Sequence, residues 1–219
     1  DHWINKVPAI GAVVGIVGIG AAAGLGLDAD HRFFYSYLVA FLFFMSLTLG
    51  GLFFTLLHFL TRSGWGIVLR RMAENIASIM PLMAVLFIPV FLGMHDLFHW
   101  THADVIETDK IIAGKQPYLN PTFFTIRAVV FFLIWIGLAL SFRKYSLTQD
   151  QNGDHGISRK LTARSAVGMA LFALSLTYGA FDWAMSLDPH WFSTMFGVYF
   201  FAGCGLGIYA TMALCTVFL

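Results

Sequence analysis

Asp182, Asp188 and His190 fall within nine positions of the stretch FDWAMSLDPHWFSTMFG (181–197), whose flanks are almost wholly apolar. An ionisable side chain in an oily segment is costly unless it meets water, meets a partner or helps to move a charge. Carboxylates and imidazoles accept and release protons, so the chemistry these residues offer is proton transfer or an ion pair. Asp182 shares a helix face with Ser175, Tyr178 and Ser186, at spacings of three and four. It either serves a proton path or is neutralised by Arg127, with the cation favouring the carboxylate form and burial opposing it. A second stripe holds Thr48, Gly51, Thr55 and His58, at spacings of three, four and three. Histidine titrates near neutral pH, and Glu74 lies at a comparable depth, so His58 and Glu74 are expected to be able to share a proton.

A third group is MHDLFHWTH (94–102), with His95, Asp96, His99 and His102. His95 and His99 are four apart, the spacing of one helix face. The HExxH pattern is absent, and His58 lies at the opposite membrane surface from His95 and His99, so those three cannot clamp one haem. A polar mouth at the membrane surface is expected here, either anchored by Trp100 or with His95 and Asp96 receiving quinol protons beside His190. Asp188, directly before Pro189, reads as a helix cap. No metal site is expected.

The elements that must position these residues are membrane spans. The chain has 219 residues, 58% hydrophobic and 11% charged, with mean hydropathy +0.76 and net charge +1. Soluble domains carry about 25% charged residues; this chain is integral to a membrane. Six spans are expected: Val7–Leu27, Phe33–Leu60, Ile76–Gly93 with kinks at Pro81 and Pro89, Asn120–Phe142 opening on an Asn-Pro cap, Leu161–Ser186, and a sixth from Asp188 to the end. The expected fold is an all-α polytopic transmembrane bundle with four-helix-bundle packing, a single domain over 1–219. The chain begins at Asp1 with no signal peptide and ends in an apolar run, and is expected to be the front part of a longer protein.

Lys6, Arg62, Arg70, Arg71, Arg143, Lys144, Arg159, Lys160 and Arg164 lie on one side of these spans. Arg32, Lys110, Lys115 and Arg127 lie on the other. The excess puts the N-terminal side in the cytoplasm and the 94–120 loop and the 187–190 turn outside. Residues 145–157 read as a cytoplasmic loop and 63–75 as a short interfacial piece. Gly11, Gly15, Gly18, Gly20 and Gly24 would let another helix approach the first span, within the bundle in preference to another subunit. Cys204 and Cys215 are roughly 16 Å apart along a helix, too far for a disulfide, and read as small buried hydrophobes. The absence of CxxCH and CxxC excludes covalent haem c and cysteine-ligated clusters in this chain.

FDWAMSLDPHWFSTMFGVYFFAG (181–203) and GMHDLFHW (93–100) resemble the F-type integral-membrane subunit of bacterial alternative complex III. That subunit is similar to the NrfD-like, polysulfide-reductase-type membrane subunits. The resemblance covers essentially all of this chain and the front part of the family member. It implies two four-helix bundles plus extra helices, in a quinol:electron-acceptor oxidoreductase of a respiratory chain in the bacterial inner membrane. It implies partners: a multihaem cytochrome c, an iron–sulfur subunit and a sister NrfD-like subunit that carries most of the quinol oxidation. Haem c and clusters would belong to those partners and quinol to the complex, with no cofactor in this chain and no nucleic acid. The chain itself is expected to be auxiliary: structural, with a proton path through His58, Glu74, Arg127, Tyr178 and Asp182. The rival readings are a quinol site lined by His95, Asp96 and His190, a pure scaffold, and a stand-alone proton-coupled transporter.

Overall fold

A computed structural model describes residues 6–26, 32–153 and 155–218. Among them there is no strand, and the helices are α1 (Val7–Gly26), α2 (Arg32–Thr61), α3 (Ile67–Ala77), α4 (Met80–Leu86), α5 (Ile88–Leu92), α6 (Met94–Leu97), α7 (Ala103–Thr108), α8 (Lys110–Lys115), α9 (Pro121–Asn152), α10 (His155–Trp183) and α11 (Phe196–Phe218). Among the described residues five segments are long and apolar enough to cross a bilayer: Phe33–Thr61, Ile67–Leu92, Pro121–Asn152, Gly156–Leu187 and Phe196–Val217. The protein is a polytopic helical membrane bundle. The expected first span forms α1, apolar over the shorter stretch Ala9–Gly24; Leu27 lies outside the described residues.

α2 is the central helix, packed against α3, α10 and α11, with α9 closing the bundle against α10 and α4. The close approach depends on Gly50 and Gly51. A methyl group on Gly50 would lie 2.4 Å from the Cys204 carbonyl oxygen of α11, and one on Gly51 would lie 2.9 Å from the Ala73 carbonyl oxygen of α3. Gly51, read as part of a polar stripe, is thus a packing contact. Small residues let helix backbones meet in lipid, where no hydrophobic gain drives helices together. α1 contrasts with this: Gly11, Gly15, Gly18, Gly20 and Gly24 have open space where a side chain would be, so this small-residue face is not packed within this bundle, against expectation.

Local chemistry sets several boundaries. The third span breaks at Ser78–Ile79 and at Phe87, just before Pro81 and Pro89, each in the first turn of the next helix. Proline has no N–H to give the preceding turn. The span starts at Ile67, nine residues earlier than expected, so 63–75 is mostly part of it. Asn120 accepts the Phe123 N–H at 2.8 Å and caps α9 as expected. α9 then runs on to Asn152 and stops at Gly153, in the left-handed region at φ 64°. The expected 145–157 loop is therefore the ends of two helices joined by a glycine turn. α11 starts at Phe196, so Asp188 does not cap it; its carboxylate accepts the His190 N–H at 3.1 Å within a turn. Cys204 is buried, Cys215 half-buried, and both are free thiols.

Candidate functional site

Charged groups collect at the two ends of the bundle, labelled inner for the arginine-rich end and outer for the other after the orientation expected from the Lys and Arg counts. At the end formed by the starts of α2, α9 and α11 and the end of α10, Arg127 binds Asp182 through both nitrogens of its fork: Nε to Oδ2 at 2.7 Å and Nη2 to Oδ1 at 3.1 Å. Its Nη1 donates to the Tyr118 carbonyl at 2.9 Å. The guanidinium lies 3.8 Å from the Tyr118 ring centroid and 4.3 Å from that of Phe123. Asp182 is wholly buried. A bidentate, stacked arginine is the geometry that makes a buried carboxylate tolerable. The Tyr118 hydroxyl is buried beside the Asp182 carboxylate, and burial together with the Asp182 charge pushes its ionisation above the ordinary phenol range. Beside it a cavity of about 400 Å³ is lined by Tyr118, Tyr178, Lys115, Ser186 and Trp191 among others. Tyr178, expected on the Asp182 face, is half exposed and faces this cavity.

A latch closes the same end. His190 Nε2 lies 2.5 Å from Asp109 Oδ2, while Asp109 Oδ1 caps α8 by accepting the Ile111 N–H at 2.8 Å. The His190 bond, then that cap, hold the Asp109 carboxyl below its ordinary range. Lys115 Nζ donates to the Pro189 carbonyl at 2.6 Å. The expected outer loop is thus short helices clasped to the α10–α11 turn.

The histidines pair differently from expectation. α6 ends at Leu97, so His95 and His99 do not share a helix face. The His95 ring stacks on His102 at 3.9 Å, and His102 Nε2 meets the His95 carbonyl at 2.8 Å. His190 shares a small cavity with His99, not with His95 or Asp96; the Asp96 carbonyl accepts the Tyr35 hydroxyl at 3.1 Å. Among the described residues no three His, Cys, Asp or Glu side chains are placed to hold a metal ion.

At the other end Glu74 is fully buried, with Arg71 Nη1 at 2.6 Å from Oε2 and Arg70 Nε at 3.3 Å from Oε1. Arg71 also binds Asp150, and Arg70 Nη2 lies 3.8 Å from Asp150 Oδ1. His58 does not join this cluster: its Nδ1 pairs with the Ser63 hydroxyl at 2.8 Å. The two residues expected to share a proton are therefore engaged elsewhere. Thr48 and Thr55 bond back to the carbonyls of Phe44 and Gly51 in their own helix, so that stripe is no chain of free hydroxyls. Arg70 and His58 instead line a cavity of about 660 Å³.

Between the ends lies an aromatic layer. Trp183 packs on Phe87 at 4.7 Å, Phe132 at 5.5 Å and Trp135 at 5.6 Å, and Trp135 Nε1 donates to Ser175 Oγ at 2.8 Å. Arg127 and Asp150 are 23 residues apart on α9, about 35 Å at 1.5 Å per residue. The sequence reading did not single out Tyr118, Asp109 or Asp150 as site residues, and used Arg70 and Arg71 only for orientation. The spacing Arg70, Arg71, Glu74 carried a signal for the inner cluster. Tyr118 and Asp109 carried none.

The fold and the two sites define a multi-pass helical membrane protein with a buried carboxylate–arginine centre at each end. No protein-family model matches the chain, and no curated protein matches its sequence.

Proposed function

We propose that this chain is an auxiliary membrane subunit of a quinol-oxidising respiratory complex of the alternative complex III kind, carrying two proton half-paths. Asp182 ends the outer half-path and Glu74 the inner one, with the complex in a bacterial inner membrane. The observation that supports this reading is the paired arrangement. Each buried carboxylate is held by arginine, and each pair has a member or a stacked neighbour, Arg70 or Tyr118, on the wall of a cavity. The string 181–203, which carries the family resemblance, contains Asp182. Electrons pass through partner subunits bearing haem c and iron–sulfur clusters.

The test uses the intact complex in proteoliposomes. The double variant Asp182→Asn with Arg127→Gln, which leaves neither charge buried alone, is expected to keep assembly and quinol oxidation while lowering the protons moved per electron; an unchanged ratio would sink the proposal. Co-purification through a tag on this chain checks the setting. Multihaem and iron–sulfur subunits in fixed ratio support it, and a lone colourless chain favours a stand-alone transporter.

One observation favours a second reading, a quinol site in this chain. The cavity of about 400 Å³ is aromatic and apolar, with Lys115, Tyr118 and Tyr178 on its wall. A photoreactive quinone analogue labelling the 114–119 segment supports that reading, and labelling of other subunits alone excludes it.

A further inference from the structure

The cavity beside Arg70 at the arginine-rich end has two further arginines on its wall, which the proton reading does not use. The cavity of about 660 Å³ there is bounded by Arg62, Arg70 and Arg159, with Ser63, Ser158 and Thr162 between them, and no carboxylate is among its described lining residues. Arg70 belongs to the charge-balanced cluster of Arg70, Arg71, Glu74 and Asp150. Neighbouring arginines have partners too: Arg143 donates to Ser78, and Arg164 stacks 4.3 Å from the Tyr145 ring. Arg62 and Arg159 differ. Among the described residues neither has an ion-pair, hydrogen-bond or ring partner, so the cavity wall carries two uncompensated positive charges.

Arg62 also stands where an arginine is unfavoured. Its φ of 51° makes it the one non-glycine residue with positive φ among the described residues. It follows the last turn of α2, and the next residue closes the turn, Ser63 N–H to the His58 carbonyl at 3.1 Å. Glycine is the ordinary residue there. The local backbone gains nothing from a side chain at this position, whereas the cavity gains a guanidinium.

We propose that this cavity is a binding site for a phosphate group, held between Arg62 and Arg159. Guanidinium forks match phosphate oxygens in pairs. Ser158 Oγ accepts from Gln149 Nε2 at 2.6 Å, which leaves the Ser158 hydroxyl proton to donate to the ligand. The volume leaves room for an ester beyond the phosphate. Two sources share this chemistry: the headgroup of an anionic phospholipid in the leaflet on the arginine-rich side, and a soluble phosphate compound. The site shares its cavity with the proposed inner half-path but rests on Arg62 and Arg159, which have no part in that reading.

The experiment uses the full chain in whatever complex it purifies with. Native mass spectrometry counts retained lipid after exposure to phosphatidylglycerol or phosphatidylcholine, and equilibrium dialysis measures inorganic phosphate. The proteins compared are wild type, the double variant Arg62→Gln with Arg159→Gln, the single variant Arg62→Gly, and a control double variant, Lys144→Gln with Lys160→Gln, which changes exposed charges outside the cavity. A preference for phosphatidylglycerol that falls at least tenfold in the arginine variants and less than twofold in the control supports the site with a lipid source. The same pattern with inorganic phosphate supports it with a soluble source. Arg62→Gly guards against misfolding: it relieves the backbone, so it is expected to raise the unfolding temperature while weakening binding. Equal binding by wild type and the arginine variants, or an equal loss in the lysine control, overturns the proposal.

Discussion

The two charged ends of the bundle solve the same problem in different ways. At the outer end one carboxylate meets one arginine, 55 residues away in sequence, in a bidentate pair whose guanidinium lies against two aromatic rings. At the inner end one buried carboxylate is shared by two arginines of its own helix, which reach out to the half-exposed Asp150. The outer pair is buried on both sides. The inner cluster is graded, from a buried Glu74 to partners in water. A closed pair has no substitute when one member is lost, whereas a graded cluster can redistribute its contacts and admit solvent.

Removing one member of each site puts that contrast to the test. Arg127→Ala leaves Asp182 buried without its counter-ion, and the expected loss is about 3–5 kcal/mol. Thermal unfolding in detergent measures it. Adding Asp182→Leu is expected to restore most of the loss, and a double variant as unstable as Arg127→Ala would refute the account of a closed pair. Glu74→Gln should cost less, about 1–3 kcal/mol, because Arg70 and Arg71 keep Asp150 and reach solvent; a loss equal to that of Arg127→Ala would erase the contrast. Asp150→Asn acts on a carboxylate with 51% side-chain exposure, and at most about 1 kcal/mol is expected.

The smallest effect belongs to the outer latch. Asp109 is bound by His190 and caps α8, which depresses its ionisation below the ordinary value of 3.8. For a depressed carboxyl, the stabilisation is present above the unfolded-state value and is lost as pH falls through the lower folded-state value. Amide exchange in 109–115 should therefore quicken only below about pH 4. Asp109→Asn should remove that acid-dependent step. An unchanged step in the variant would assign it to another group.

The inner cluster was partly legible in sequence. Arg70, Arg71 and Glu74 sit at the i, i+3 and i, i+4 spacings that bring side chains together on any helix. Asp150 was hidden because hydropathy falls after Phe142 while the helix continues. Backbone hydrogen bonds do not need an apolar environment, and nothing breaks the run before Gly153. At the outer end Arg127 could be named as a partner for Asp182 from depth alone. Tyr118 could not, since it comes from a segment that reads as loop. The pairing of His58 with Glu74 failed for a similar reason. Equal depth does not fix the rotation of a helix, and the turn at Arg62 brings Ser63 to His58 first.

What the sequence determined by itself was local: apolar runs long enough to cross a bilayer, breaks before Pro81 and Pro89, the Asn120 cap and the Arg127–Asp182 pairing as one of two alternatives. These depend on hydropathy, on a missing N–H or on residues within one turn. Tertiary structure alone decided that α2 is central through Gly50 and Gly51, that His190 clasps Asp109 and that Arg62 and Arg159 face one cavity. Those outcomes depend on how helices rotate and approach one another, which is set by side-chain volumes distributed over the whole bundle and by no single stretch of chain.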